Sequence, residues 1–210
     1  MALTIDTLPL GPLETNCYVL TSAGVCWLVD VGMWPRPLID FLRARGLTPE
    51  CILLTHGHGD HIAGVEMVRE HWPGVRLLCP AADADMLGDP QANLSGPFGF
   101  PMTAPPADRL VEPGEEMLCG ELTLHVLDTS GHSPGGVSYY CPQAGVVLCG
   151  DALFAGGVGR SDIPGADGER LAANIRANLY TLPDDTRVLP GHGPESTIGA
   201  EKAGNPFVRP

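Results

Sequence analysis

Residues 56–61 read His-Gly-His-Gly-Asp-His, so four side chains able to ligate a metal fall within six positions. Imidazole nitrogen and carboxylate oxygen are the donors of catalytic zinc and iron sites, whereas structural zinc leans on cysteine thiolates, and this run holds no cysteine. Strand side chains alternate, so His56 and His58, at the end of the apolar run 51–55, project the same way and can grip one ion together. Asp60 stands where a helix would begin, ahead of Ile62, Val65, Val68 and Trp72 at helical spacing. It is expected to cap that helix while its carboxylate reaches a second ion. His61 follows on the first helical turn. Ordinary surface or capping roles do not call for this density of donors.

Three further candidates share one setting, a glycine-flanked turn straight after an apolar strand. They are His132 in Gly131-His132-Ser133-Pro134-Gly135-Gly136, Asp151 in Cys149-Gly150-Asp151, and His192 in Gly191-His192-Gly193. Glycine lets backbone approach closely, as a crowded polynuclear site requires, although each residue alone would pass for a turn residue. With the hexapeptide they supply five histidines and two aspartates, which suits two ions sharing one carboxylate.

The elements that must carry these groups follow from pattern. Strands are expected near 3–9, 16–22 and 25–30, then a helix from Pro35 with Leu38, Ile39, Phe41 and Leu42 on one face and Gly46 past its end. Strand 51–55 delivers the histidine cluster, a helix near 61–71 follows, then a strand at 75–79 and a short helix at 81–87. Residues 89–109 contain Pro90, Pro97, Pro101, Pro105 and Pro106, too many for a helix or central strand, so a long loop is expected: a rim or lid, or a poorly ordered excursion. Strands return at 117–119, 122–127, 137–140 and 146–149. Asp167 caps a helix carrying Leu171, Ile175, Leu179 and Leu182, and 187–190 forms the last strand.

With 210 residues, 44% hydrophobic and 18% charged, the chain is expected to fold as one domain spanning 1–210. Seven cysteines without a Cys-x-x-Cys pair lie mostly in apolar runs and read as buried reduced thiols, Cys149 near Asp151 being the one to watch. A net charge of −13 with Lys202 as the sole lysine argues against a nucleic-acid partner. No basic leader and no apolar stretch of bilayer length is present, so a cytoplasmic protein without a membrane partner is expected. Nothing in the pattern specifies an oligomeric state.

The pattern His-x-His-x-Asp-His, then His132, Asp151 and His192, resembles the metallo-β-lactamase superfamily. More closely, Gly150-Asp151-Ala152-Leu153-Phe154 with Gly159-Arg160-Ser161-Asp162, and Thr197-Ile198-Gly199-Ala200-Glu201 with Asn205-Pro206-Phe207, resemble the short glyoxalase II-like hydrolases across the whole chain. The resemblance implies an α/β fold, a four-layer αββα sandwich, with two divalent metal ions (zinc first, iron or manganese as alternatives) at one edge of the sheets. It implies one ion held by His56, His58 and His132, another by Asp60, His61 and His192, and Asp151 with a hydroxide bridging both. His71 and His125 match no ligand position of the family.

The activity so implied is attack of that hydroxide on a small-molecule thioester, an S-2-hydroxyacylglutathione such as S-lactoylglutathione. Only 18 residues follow His192, where full-length glutathione-thioester enzymes carry a helical domain, and Pro194 replaces an aromatic residue. Arg160 stands in place of a lysine. It is a candidate for the substrate carboxylate, with a salt bridge to Asp162 or Glu169 as the competing role. Persulfide dioxygenases of the same superfamily would place one iron on the equivalents of His56, His132 and Asp151, and a non-catalytic metal-binding module is the third reading. A β-lactamase proper is disfavoured because Asp60 stands where that branch usually has cysteine.

Overall fold

The computed structural model describes residues 3–210. The first half builds a six-stranded sheet in chain order, β1 (Thr4–Leu10), β2 (Thr15–Ser22), β3 (Val25–Val29), β4 (Cys51–Leu53), β5 (Arg76–Pro80) and β6 (Arg109–Val111). It is antiparallel from β1 to β3 and parallel from β3 to β6. The second half supplies β7 (Glu116–Cys119), β8 (Leu122–Asp128), β9 (Val137–Cys141) and β10 (Val146–Gly150). A small hairpin, β11 (Leu153–Phe154) and β12 (Gly157–Val158), precedes β13 (Arg187–Pro190) and β14 (Ser196–Thr197). These pair in the order β14-β13-β10-β9-β8-β7, with the hairpin apart.

Period-two side-chain alternation sorts the apolar residues into layers. Tyr18, Leu20, Trp27, Val29, Cys51 and Leu53 face inward and meet Val146, Leu148, Tyr139 and Leu124 of the other sheet. The intervening residues Cys17, Val19, Cys26, Leu28 and Ile52 face outward, under α1 (Arg36–Ala44), α2 (Gly59–Ile62) and α3 (Val65–His71). On the opposite side Val147, Cys149 and Val188 pack beneath α4 (Gly168–Asn174) and α5 (Ile198–Gly204). The result is the expected αββα sandwich. All seven cysteines are free and buried. Among the described residues no helix is long and apolar enough to cross a membrane.

Several local expectations are corrected. The helix near 61–71 is two helices, α2 and α3, because Gly64 N–H donates to Val31 O at 3.0 Å and draws the chain onto the turn after β3. Asp60 does not cap: the cap position is His58, without a side-chain cap bond, and Asp60 lies within α2. Residues Ala81–Gly88 form a 3-10 helix. Beyond 187–190 there is a further strand, β14, and β6 was not expected; both are too short to show alternation. Asp167 does cap α4, accepting from Arg170 N–H at 3.0 Å. The proline-rich stretch is anchored: Asn93 donates to Met86 O and Met102 O, and its own carbonyl accepts from Gly59 N–H at 2.8 Å, beside Asp60.

Candidate metal centre

All seven candidate donors gather at one edge of the sandwich, five of them just past strand ends. His56 and His58 follow β4, His132 follows β8, Asp151 follows β10 and His192 follows β13, while Asp60 and His61 sit on α2. Strand ends are where an α/β sheet turns backbone and side chains toward open space. Three hydrogen bonds hold the edge together. Asn16 and Tyr18 of β2 donate to Pro190 O at 3.0 and 2.6 Å, and Asn16 N–H donates to Gly191 O at 2.7 Å, tying the His192 turn to the first sheet.

The structure brings together all seven residues. His58 Nδ1 lies 3.0 Å from His132 Nε2, and His61 Nε2 lies 3.3 Å from His192 Nε2. Asp60 Oδ2 is 3.2 Å from His192 Nε2 and 3.5 Å from His61 Nε2. Asp151 stands between: its Oδ2 is 3.5 Å from His132 Nε2 and 3.6 Å from His192 Nε2, and its Oδ1 is 3.3 Å from His61 Nε2. Three donor groups able to hold an ion result, His56 with His58 and His132, Asp60 with His61 and His192, and His56 with His61 and Asp151, each with donor atoms within 4.8 Å of one another.

A metal fits these residues better than any network of protons. Two nitrogens bound at about 2.1 Å to one tetrahedral ion lie about 3.4 Å apart, within a few tenths of an ångström of the 3.0 and 3.3 Å found here. His56 Nε2 is buried with no hydrogen-bond partner among the described residues, an arrangement that is costly unless the lone pair is bonded. Meanwhile the outer nitrogens are held by oxygens: His56 Nδ1 by Thr55 Oγ1 at 3.0 Å, His61 Nδ1 by Asp30 Oδ2 at 2.8 Å, His132 Nδ1 by Arg160 O at 2.9 Å and His192 Nδ1 by Leu13 O at 2.9 Å. Such contacts fix the tautomer and direct each Nε2 inward. His58 differs, presenting Nδ1 to the centre, and no partner for its buried Nε2 is evident.

Residues 10–192 match the metallo-beta-lactamase superfamily. The chain belongs to that superfamily. It is 42% identical over 202 residues to the probable metallo-hydrolase YqgX of Bacillus subtilis, covering 96% of this chain and 95% of that one. It is 31% identical to the hydroxyacylglutathione hydrolase GloC of Haemophilus influenzae, covering 98% of each. Among solved structures, the BLEG-1 B3 metallo-beta-lactamase superposes with a TM-score of 0.93 at 39% identity, covering 98% of this chain and 99% of the other. TTHA1623 in a di-iron-bound form superposes with a TM-score of 0.87 at 38% identity, covering 97% of this chain and all (100%) of the other. Superfamily membership and the donor cluster together make this a metal-binding, metallo-hydrolase-type protein.

The electrostatics divide the site in two. Burial pushes the His56 and His58 imidazoles toward neutrality, reinforced by neighbouring histidines, and His58 falls to about 3. For His61, burial opposes the charged form but Asp60, Asp30 and Asp151 outweigh it, so its pKa rises. His192 likewise rises, burial being outweighed by Asp60 and Asp151. Asp60 and Asp151 are held below the usual carboxylate range, since His61 and His192 overcome their burial.

Arg160 reaches the centre only through its carbonyl; its guanidinium donates to Asp162 Oδ1 and Oδ2 at 2.9 and 3.0 Å on the surface. Cys149 donates its thiol to Leu153 O at 3.1 Å, and burial pushes it up to about 12, which makes it a poor nucleophile. His71 bonds Met67 O on its own helix, and His125 pairs with Glu116. Sequence reasoning missed Asp30, whose carboxylate accepts from Thr55 N–H and Oγ–H, both at 2.8 Å, and orients His61. The signal was present: Asp30 directly follows an apolar strand, the setting that singled out Asp151.

Proposed function

We propose that this chain is a dinuclear metal-dependent hydrolase that cleaves a small-molecule thioester, an S-2-hydroxyacylglutathione such as S-lactoylglutathione. The reading is carried by Asp151, whose carboxylate lies between His132 on one side and His61 and His192 on the other. The likeness to TTHA1623, which was solved with two irons, supports two ions, and the likeness to GloC supports the substrate class. His56, His58 and His132 would hold the first ion, Asp60, His61 and His192 the second, with Asp151 shared. A bound dication pair supplies a water acidified from near 15.7 towards roughly 7 and an electrophile for a carbonyl oxygen.

The chain's own groups favour a thiol leaving group. Four of the five site histidines have Nδ1 turned outward onto oxygens, and both site aspartates are held ionised, so they accept protons and have none to give. A thiolate departs without a proton, whereas an amide nitrogen needs one. Asp60 and Asp151 can instead orient the attacking water by accepting its protons. Oxidation of a persulfide at a single iron is the second reading, resting on the likeness to ETHE1 from Myxococcus xanthus, 25% identical with a TM-score of 0.79.

The deciding experiment combines elemental analysis of the isolated protein with anaerobic hydrolysis of S-lactoylglutathione beside a β-lactam. Two equivalents of metal and release of glutathione without oxygen are expected. A single iron with oxygen uptake on glutathione persulfide would favour the second reading, and β-lactam ring opening faster than thioester cleavage would overturn both.

A further inference from the structure

Asp83 is fully buried in the 3-10 helix Ala81–Gly88, outside the seven-donor cluster. Its carboxylate gathers donors from two loops distant in sequence. Oδ2 accepts from Gly57 N–H at 3.0 Å and from Ser133 Oγ–H at 2.7 Å, and Oδ1 accepts from Gly135 N–H at 2.6 Å. Gly57 lies between His56 and His58, and Ser133 follows His132. Two of the three partners, Gly57 and Ser133, therefore adjoin all three donors of the His56, His58 and His132 group, and none adjoins Asp60, His61 or His192.

Contact is close as well as polar. A Cβ at Gly57 would stand 3.0 Å from Asp83 O and 3.0 Å from Met86 Cβ, and one at Gly135 would stand 2.8 Å from Asp83 N. The 3-10 helix is thus pressed against both loops, with side chains excluded from the seams. Three donors converge on two oxygens, a demand that an amide of the same shape cannot meet, since its NH2 must face at least one of them.

We propose that Asp83 is a positioning residue for the first metal subsite, setting the separation of His132 from His56 and His58 and hence the affinity of that subsite alone. The inference rests on the two-ion reading above. Its consequence is selectivity: loss of the clamp weakens the first ion and leaves the second, whose donors Asp60, His61 and His192 make no contact with Asp83 among the described bonds.

The test measures zinc affinity by competition with a chromogenic chelator in two backgrounds, His192→Ala, which retains the first subsite, and His132→Ala, which retains the second. Asp83→Asn is expected to weaken zinc about 10–100-fold in the first background and less than about threefold in the second. A merely structural role would loosen both alike, and either equal weakening or no weakening in the first background overturns the proposal. Gly135→Ala, whose Cβ would stand 2.8 Å from Asp83 N and 2.9 Å from its Oδ1, is expected to reproduce the selective loss; it carries the test should Asp83→Asn fail to fold, with the same outcomes deciding. If the unmutated protein binds one equivalent only, the two-ion reading falls, and Asp83 is judged on that single constant.

Discussion

Gly191 separates steric from conformational demands at the centre. A Cβ there would fall well inside contact distance of Asp151 Oδ1 and 2.7 Å from His61 Cε1. Carbon contacts settle near 3.5–4.0 Å, so Gly191→Ala requires a shift of roughly 1 Å in the shared carboxylate, the His61 ring or the turn itself. Overpacking of this kind costs about 1–3 kcal/mol. For a chain of 210 residues that corresponds to a fall in Tm of roughly 2–12 °C. A misplacement of about 1 Å at a reacting centre costs on the order of 100-fold in rate. Gly193 is the control: its φ is +73° and nothing lies within 4 Å of an added Cβ. Gly193→Ala therefore carries only backbone strain, about 1 kcal/mol, and is expected to keep its metal and most of its activity. Metal content, Tm and kcat/KM for the thioester, measured on both variants, make the comparison. Gly191→Ala retaining two equivalents and the unmutated rate would refute the close packing of Asp151 against the His192 turn.

In the metal-free protein His58 has a folded pKa of about 3 against 6.5 unfolded, so the unfolded state binds more protons between those values and stability falls as pH drops through that window. Its share is about 2 kcal/mol by pH 5, seen as a lower denaturant midpoint. Asp30→Ala leaves Thr55 N–H and the His61 ring without their acceptor and should cost about 3 kcal/mol in thermal unfolding, with loss of metal from the His61 subsite; unchanged metal content would count against an orienting role. Arg160→Ala breaks only a surface ion pair, so stability should move by less than about 1 kcal/mol and KM for an anionic thioester should stay unchanged; a raised KM would show that the guanidinium leaves Asp162 for the substrate carboxylate.

The donors were legible in the sequence because each carries a local signature. The hexapeptide 56–61 packs four of them together, and His132, Asp151 and His192 each sit in a glycine turn directly after an apolar run, so strand ends and candidate donors could be read at once. Continuous apolar runs in β3, β4 and β10 likewise announced strands, while their stacking as two sheets covered by helices was implied by the family resemblance and not by any period. Elements of two or three residues, β6 and β14, and the division of one helix into α2 and α3, carry no period long enough to read.

What the chain could not announce is how the outer contacts converge. Asp83 reads as an ordinary polar residue until folding places it against loops 26 and 50 residues away, and even for Asp30, whose place after a strand is visible, only folding supplies Thr55 and His61 as partners. Arg160 reads as a charged side chain, and only the tertiary arrangement turns it to the surface and offers its carbonyl to His132. Ligand identity is a property of residue type and neighbours along the chain, which a sequence displays. Orientation and spacing depend on directional hydrogen bonds between strand ends far apart in sequence, and these exist only once the two sheets have packed.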